Sequence, residues 1–414
     1  MKRFIAIFMF AIISLTSASC TGDIENSSET PMETLPTTQS TDRTATPSPS
    51  QTPSQTNTPE PTPKPPFDGK IGIITFDRAY QSNEWRTALP VVDKYGEDKV
   101  VHVTWPNVLS ELGQMMDVVE NFSKDTSIES IIVNQAIPGT DAIFRQLKET
   151  RKNIFLVYCQ SQENVADITQ TADLIMITDE RGMGPAIVQQ AQEFGATAFI
   201  HYSFPRHMSQ TLLNERRERI RKECFKLGIE FVDRETPDPA EVSLMDVEQF
   251  ILEDVTKMVA MYGKNAAFFC TSCAMQESLV KTVVEQGAIY PSPCHPSPSH
   301  GFLQALSVDI EKQAPSIDYI KSQTKIALTK AGMIGRFATW PTEDCYIYTF
   351  TAAEYAIKRL NGEVPQEGID IAVLTQLMTD YAGVQVYLTP YTDPETDTTY
   401  DNYLMMRMDY ITFE

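Results

Sequence analysis

The sequence predicts an α/β protein built as two doubly wound parallel-sheet lobes with a hinge and a central cleft, and three observations lead there. Short, nearly continuous β-branched runs recur from residue 70 onward. Stretches of helical period separate them one by one. After Thr178 the same alternation begins again over a similar length. Strands that are apolar on both faces, each followed by a helix, mean parallel sheets covered on both sides.

Residues 70–76 (KIGIITF) read as the first buried strand, followed by amphipathic residues to about Tyr95, with Gly96 as the helix stop. The strand 100–104 (VVHVT) precedes a helix carrying Leu109, Leu112, Met116 and Val119. Residues 131–133 (IIV), a helix from about Asp141, 154–158 (IFLVY) and 174–178 (LIMIT) complete the first half. The second half opens with a helix over about 185–194, stopped by Gly195, and the strand 197–201 (TAFIH). A long helix over about 209–227 leads to 228–232 (GIEFV), then a helix around 244–262 and the strand 266–270 (AAFFC). A helix over 275–285 and the strand 287–290 (GAIY) follow. The last hundred residues mix helices with a polar stretch rich in Tyr and Asp near 391–401.

Ahead of this body, Lys2 and Arg3 precede an apolar run over 4–15 and then Thr16-Ser17-Ala18-Ser19-Cys20. That is the pattern of a secretory signal, with an apolar core too short for a membrane span. The cysteine after small residues resembles the bacterial lipoprotein cleavage signal, which implies a lipid on Cys20. Ser17 departs from that pattern, which usually has Leu three residues before the cysteine, and an ordinary signal cut near Ala18 or Ser19 is the alternative. Residues 21–66 are almost all Ser, Thr, Pro, Gln, Asn and Glu. Such a segment cannot bury enough apolar area to offset its ordering entropy, so a disordered tether is expected. Fully extended at ~3.1 Å per residue, it would reach about 140 Å. The expected organisation is therefore 1–20 lipoprotein signal peptide, 21–66 linker, 67–180 plus part of 301–414 lobe 1, and 181–300 lobe 2. The expected location is the extracytoplasmic face of the cell membrane, held by the lipid.

With 34 Lys and Arg against 55 Asp and Glu, the formal charge is -21. That argues against nucleic acid as a partner, since phosphate backbones are gripped by clustered cations. The one dense basic run, 216–222 (RRERIRK), lies on a helical pattern and reads as a solvated face. No apolar run after residue 20 is long enough to cross a bilayer.

Two segments carry a resemblance. Residues 177–186 (ITDERGMGPA), running on through 194–200 (FGATAFI), resemble the lobe crossover of type 1 periplasmic-binding proteins. Residues 268–275 (FFCTSCAM), through 284–288 (VEQGA), are similar to the strand, turn and helix where that superfamily usually shows an Asn-Asp pair followed by Ala-Met. Within it, 201–208 (HYSFPRHM) and 294–298 (CHPSP) resemble an uncharacterised family of bacterial lipoproteins. The resemblance implies capture of a small polar solute by hinge bending, usually for an ABC permease. Ser272 and Cys273 stand where sugar-binding members have Asn-Asp, which offers weaker, uncharged groups and argues against a plain hexose or pentose.

Candidate ligand contacts follow from the strand ends. Asp179 could bind a solute or simply favour a helix N-terminus. Tyr202, Phe204, Arg206 and His207 combine aromatic plates with a cation and an imidazole, suited to an anionic or planar solute, unless Arg206 pairs with a structural carboxylate. Phe76, Asp77, Asn134 and Gln135 occupy first-lobe strand ends, and Tyr158 and Gln160 follow another. Ser272, Cys273 and His300 complete the expected contacts, His300 from the loop 294–301, which is read as the second return between lobes. Cys270 and Cys273 admit three readings: buried or ligand-lining thiols, a disulfide, or a metal or redox pair completed by Cys294, His295 or His300. The irregular second half of that ligand set favours plain thiols, so no metal, cofactor or catalytic residue is expected. No Gly-x-Ser-x-Gly elbow, Walker loop or His-Glu-x-x-His occurs. The function expected is a lipid-anchored solute-binding protein serving an ABC transporter. Its rivals are a surface receptor for a signalling partner and a thiol- or metal-dependent enzyme using Cys270 and Cys273.

Overall fold

A computed structural model describes residues 67–79, 82–106, 112–308 and 316–414; the expected leader and linker lie outside these. Lobe 1 is organised by β1 (Lys70–Thr75), β2 (Val100–Thr104), β3 (Ile128–Val133), β4 (Phe155–Cys159) and β5 (Leu174–Thr178). They pair in parallel in the spatial order β2-β1-β3-β4-β5, with Ile73 opposite His102 on one side and Ile132 on the other. β1 and β3–β5 are buried almost throughout, because helices cover both faces of the sheet.

Lobe 2 repeats the plan with β6 (Ala198–Ser203), β7 (Glu230–Glu235) and β8 (Ala266–Cys270), in the order β7-β6-β8 and all parallel. Parallel bridges from Ala267 to Ile289 and from Tyr290 to Phe337 extend this sheet by two short segments. Both lobes thus share one doubly wound strand order. β9 (Ala338–Thr339) then leads out of lobe 2.

Beyond the helix Asp344–Leu360, β10 (Val386–Thr392) and β11 (Thr399–Met408) form a hairpin. β11 lies parallel to β5, which makes lobe 1 a seven-stranded sheet. β12 (Ile411–Thr412) finally pairs antiparallel with β9. The chain passes between the sheets after β5, after β9 and after β11, and the cleft described below lies beside these passages.

Two local outcomes differ from the sequence reading. The first helix of the second half starts at Glu180, not near Pro185, because the Asp179 side chain accepts a hydrogen bond from the Gly182 N–H at 2.8 Å and caps it. The return to lobe 1 falls at 340–343 and not at the loop 294–301. That loop stays in lobe 2, where the Cys294 N–H donates to Gln276 Oε1 at 3.1 Å. Leu328, Met333 and Phe337 share a core with Phe268 and Tyr290, which holds the segment before β9 in lobe 2 as well.

A second apolar cluster fills one face of the lobe 1 sheet, through Ile74, Ile131, Leu156 and Phe144. A third runs from the other face of that sheet through Met183, Ile187 and Trp340 to Phe199 and Phe269, so the two lobes share one apolar layer. The crossover helix Glu180–Glu193 packs on the helix Thr211–Leu227 at Gly184. A Cβ there would come within 2.8 Å of the Arg216 carbonyl oxygen. Gly184→Ala is expected to cost about 1–3 kcal/mol through the forced separation of these helices, read as a lower urea midpoint at unchanged slope.

Candidate functional site

The cleft opens at the carboxyl ends of the strands, where an open parallel sheet presents its loops. Its volume is about 750 Å³. Lobe 1 supplies Asn134 and Gln135 just past β3, Gln160 to Gln162 after β4, and Thr178 at the end of β5. The short helix Ser82–Arg86 adds Asn83 and Glu84, and the passage after β9 adds Glu343, Asp344 and Cys345. Opposite them stand Gln210, Leu212, Leu213 and His295. A smaller chamber of about 150 Å³ shares Asn83, Thr178, His295, Glu343 and Asp344 with the cleft and reaches Cys294 and His300.

The lining is rich in acceptors. Asp344 accepts from Thr178 Oγ1 at 3.0 Å and from the Gln160 amide. Glu343 accepts from Asn83 on lobe 1 and from the Ser299 hydroxyl on lobe 2, which ties the two walls together. Asn134 donates to Thr87 Oγ1, to the Cys345 carbonyl and to the Thr349 hydroxyl. Among the described residues, Asn134 Oδ1, Gln135 Oε1 and Glu84 Oε2 are buried without a protein partner. Among the described residues, no Lys or Arg lines the cleft. Glu180 is compensated by the buried Arg216, whereas Glu84, Glu343 and Asp344 meet no cation among the ion pairs of the described residues.

Burial, reinforced by the nearby Asp344 charge, pushes the Glu84 carboxyl up to about 8. Burial likewise raises Glu343. The stability that a protonated Glu84 contributes is complete below its ordinary value near 4.5 and is lost as the pH rises through about 8. The folded chain should therefore lose stability between pH 5 and 8, by an amount on the order of a few kcal/mol. Glu84→Gln should flatten that slope in denaturation series at the two pH values; an unchanged slope would remove Glu84 as its source.

The sequence-chosen contacts divide. Asn134 and Gln135 line the cleft, and His300 lines the smaller chamber. Tyr158 is fully buried and packs on Phe144. Phe76 is in the lobe 1 core, and Asp77 Oδ1 accepts from the Ala79 N–H. Asp179 acts as the helix cap described above. Tyr202 and Phe204 are core residues of lobe 2, with the Tyr202 hydroxyl donating to Asp254 at 3.0 Å.

Arg206 makes a two-pronged pair with the buried Asp238, at 2.8 and 2.6 Å, so its charge is already answered. His207 stacks on Phe204 with Nδ1 3.0 Å from Thr271 Oγ1, and burial with the adjacent Arg206 lowers it to about 4. The aromatic and cationic clamp for an anion is thus not brought to the cleft. Ser272 caps the turn after β8 by accepting from the Ala274 N–H. Cys273 is exposed, beside Cys294, His295 and His300. Sequence reasoning missed Asn83, Glu84, Glu343 and Asp344 as cleft residues; the pair Glu343-Asp344 at a helix start was the available signal.

Set beside other proteins, residues 69–338 match the profile described as protein of unknown function (DUF3798). The chain belongs to the DUF3798 family. An uncharacterized protein of Treponema pallidum (strain Nichols) is 33% identical to this DUF3798 chain over 168 residues, covering 40% of this chain and 78% of that one. A crystal structure from Clostridium difficile 630, named as a transcriptional regulator, superposes with a TM-score of 0.76 at 22% identity. It covers 84% of this chain and 99% of that one, a likeness of fold. A sugar ABC transport substrate-binding protein from Bordetella parapertussis 12822 superposes with a TM-score of 0.47 at 11% identity, over 83% and 89% of the two chains. No helix of the described residues is long and apolar enough to cross a membrane.

Proposed function

We propose that this DUF3798 protein is an extracytoplasmic solute-binding protein, tethered through a lipid on Cys20, that captures a small polar solute between its lobes for an ABC transporter. It has no catalytic role in this reading. One observation carries it: a cleft of about 750 Å³ is lined by residues of both lobes, among them side chains whose buried acceptors have no protein partner, and by no Lys or Arg among the described residues. Buried acceptors without partners are costly, so a ligand that donates hydrogen bonds gains affinity from satisfying them. The same lining disfavours carboxylate and phosphate solutes, which would face Asp344 and Glu343 with no Lys or Arg beside them among the described residues. The favoured class is therefore a neutral polyol or nucleoside-like molecule, or an amine.

A thermal-shift screen of the purified protein against small polyols, nucleosides, amines, carboxylates and phosphates tests this reading. A ligand at ~100 times its dissociation constant should add about 2.7 kcal/mol of stability. Hits confined to anions, or no hit in any class, would reject it. For the tether, Cys20→Ala should abolish incorporation of labelled fatty acid and release the protein from the membrane fraction; labelling that survives would place the lipid elsewhere.

A further inference from the structure

Four side chains of lobe 2 converge on one point. Cys273 follows β8, while Cys294, His295 and His300 come from a single loop, and one ligand atom from each lies within 4.8 Å of all the others. The Sγ atoms of Cys273 and Cys294 are 3.8 Å apart. His295 Nδ1 is 3.5 Å from the Cys273 Sγ and 3.6 Å from the Cys294 Sγ, and His300 Nε2 is 3.2 Å from the Cys294 Sγ. A tetrahedral zinc ion with Zn–S of ~2.3 Å and Zn–N of ~2.0 to 2.1 Å has edges of ~3.8 Å between sulfurs and ~3.5 to 3.6 Å between sulfur and nitrogen. Four of the six edges match those values to within about 0.4 Å, and all six are no longer than 4.8 Å.

We infer that Cys273, Cys294, His295 and His300 form a closed tetrahedral site for a zinc ion on the lobe 2 wall of the cleft. Two thiolates and two imidazoles are the donor set that selects zinc over hard cations such as magnesium or calcium. Two neutral thiols could instead join as a disulfide, but a disulfide gives no reason for two imidazole nitrogens to aim at the same point. The loop geometry is built for the convergence. Gly301 has a φ of 78°, and a Cβ there would meet Gln276 Cγ at 2.4 Å, so only glycine lets His300 be delivered beside that helix. The Gln276 side chain in turn accepts from the Cys294 N–H and from the Cys270 thiol, and Cys270 is not one of the four converging ligands.

The ion would pin the loop 294–301, whose His295 and His300 face Glu343 and Asp344 across the smaller chamber. All four ligands belong to lobe 2, so the site stands or falls independently of solute capture. This reverses the sequence expectation of no metal, which rested on the irregular spacing after Cys273.

Elemental analysis of the full chain, purified under reducing conditions and dialysed after exposure to zinc sulfate, should give one equivalent of zinc. The cobalt(II) form should show sulfur-to-cobalt charge transfer and the intense visible bands of a tetrahedral site. Cys273→Ser and His300→Ala should each lower the affinity for zinc at least tenfold and weaken or remove the cobalt bands, while Cys270→Ser, outside the cluster, should keep both. Circular dichroism of each variant separates a lost ligand from a lost fold. Substoichiometric zinc in a folded wild-type chain would overturn the inference, as would octahedral cobalt spectra or a Cys273–Cys294 disulfide that persists in the zinc-treated protein.

Discussion

Asp344→Ala should lower the affinity for any amine or polyol bound in the cleft by at least tenfold, with little change in the fold. Asp344 begins the helix Asp344–Leu360, where its Oδ1 accepts from the Cys345 N–H at 2.7 Å. Its other oxygen collects the Thr178 hydroxyl and the Gln160 amide, so three lobe 1 elements are aligned on one carboxylate at the cleft wall. A hydrogen bond from a ligand to such a charged group contributes about 1.5–3 kcal/mol, which sets the scale of the loss. Removing this charge also relieves its push on Glu84, so the Glu84 carboxyl should move down from about 8. Titration calorimetry of the Asp344→Ala and Asp344→Asn variants would read both effects, and an affinity unchanged in both would exclude Asp344 from the site.

Arg216→Ala should destabilise the protein by about 3–5 kcal/mol, the scale for leaving one partner of a buried ion pair alone. Arg216 is 1% exposed, pairs with Glu180 and lies over the Phe269 ring at 5.1 Å. Its loss leaves the Glu180 carboxylate beside the cleft without its cation and opens a hole against Phe269. A leucine at 216 fills the hole but not the charge, so Arg216→Leu should recover less stability than the double variant Arg216→Leu with Glu180→Gln. Urea denaturation of the three variants separates packing from charge, and equal stabilities of the single and double leucine variants, both above Arg216→Ala, would show that the pair contributes through volume alone.

Much of the fold could be read because buried parallel strands announce themselves. The runs KIGIIT, IIV, FLVYC and LIMIT are apolar at consecutive positions, which only a sheet covered on both faces demands. The same property hid part of the site. In a strand buried on both faces, aromatic residues such as Tyr158 and Tyr202 pack into one layer or the other, so their nearness to a strand end says nothing about a cleft. Asn134 and Gln135 were legible because they follow the end of their strand, where side chains leave the layers. Glu343 and Asp344 were not, since the return between lobes depends on where β9 stops, and a two-residue strand leaves no periodic signal.

The cysteines repeat the lesson. Cys270 and Cys273 are three residues apart in sequence, yet Cys270 is the last buried residue of β8 and Cys273 lies beyond it with its side chain exposed. The partners of Cys273 arrive from a loop some twenty residues later, brought there by the Gln276 contact and not by any spacing motif.

The central claim is that a donor-bearing solute sits between the lobes, held from the lobe 1 side by Asn134, Gln135 and Asp344. A crystal structure of the protein with the strongest hit of the thermal-shift screen tests it most directly. The account predicts the solute inside the cleft, against the side chains of Asn134 and Gln135 and with its N–H or O–H groups toward Asp344. A solute bound on an outer face, or a cleft filled by side chains from both lobes while the solute sits elsewhere, would contradict it.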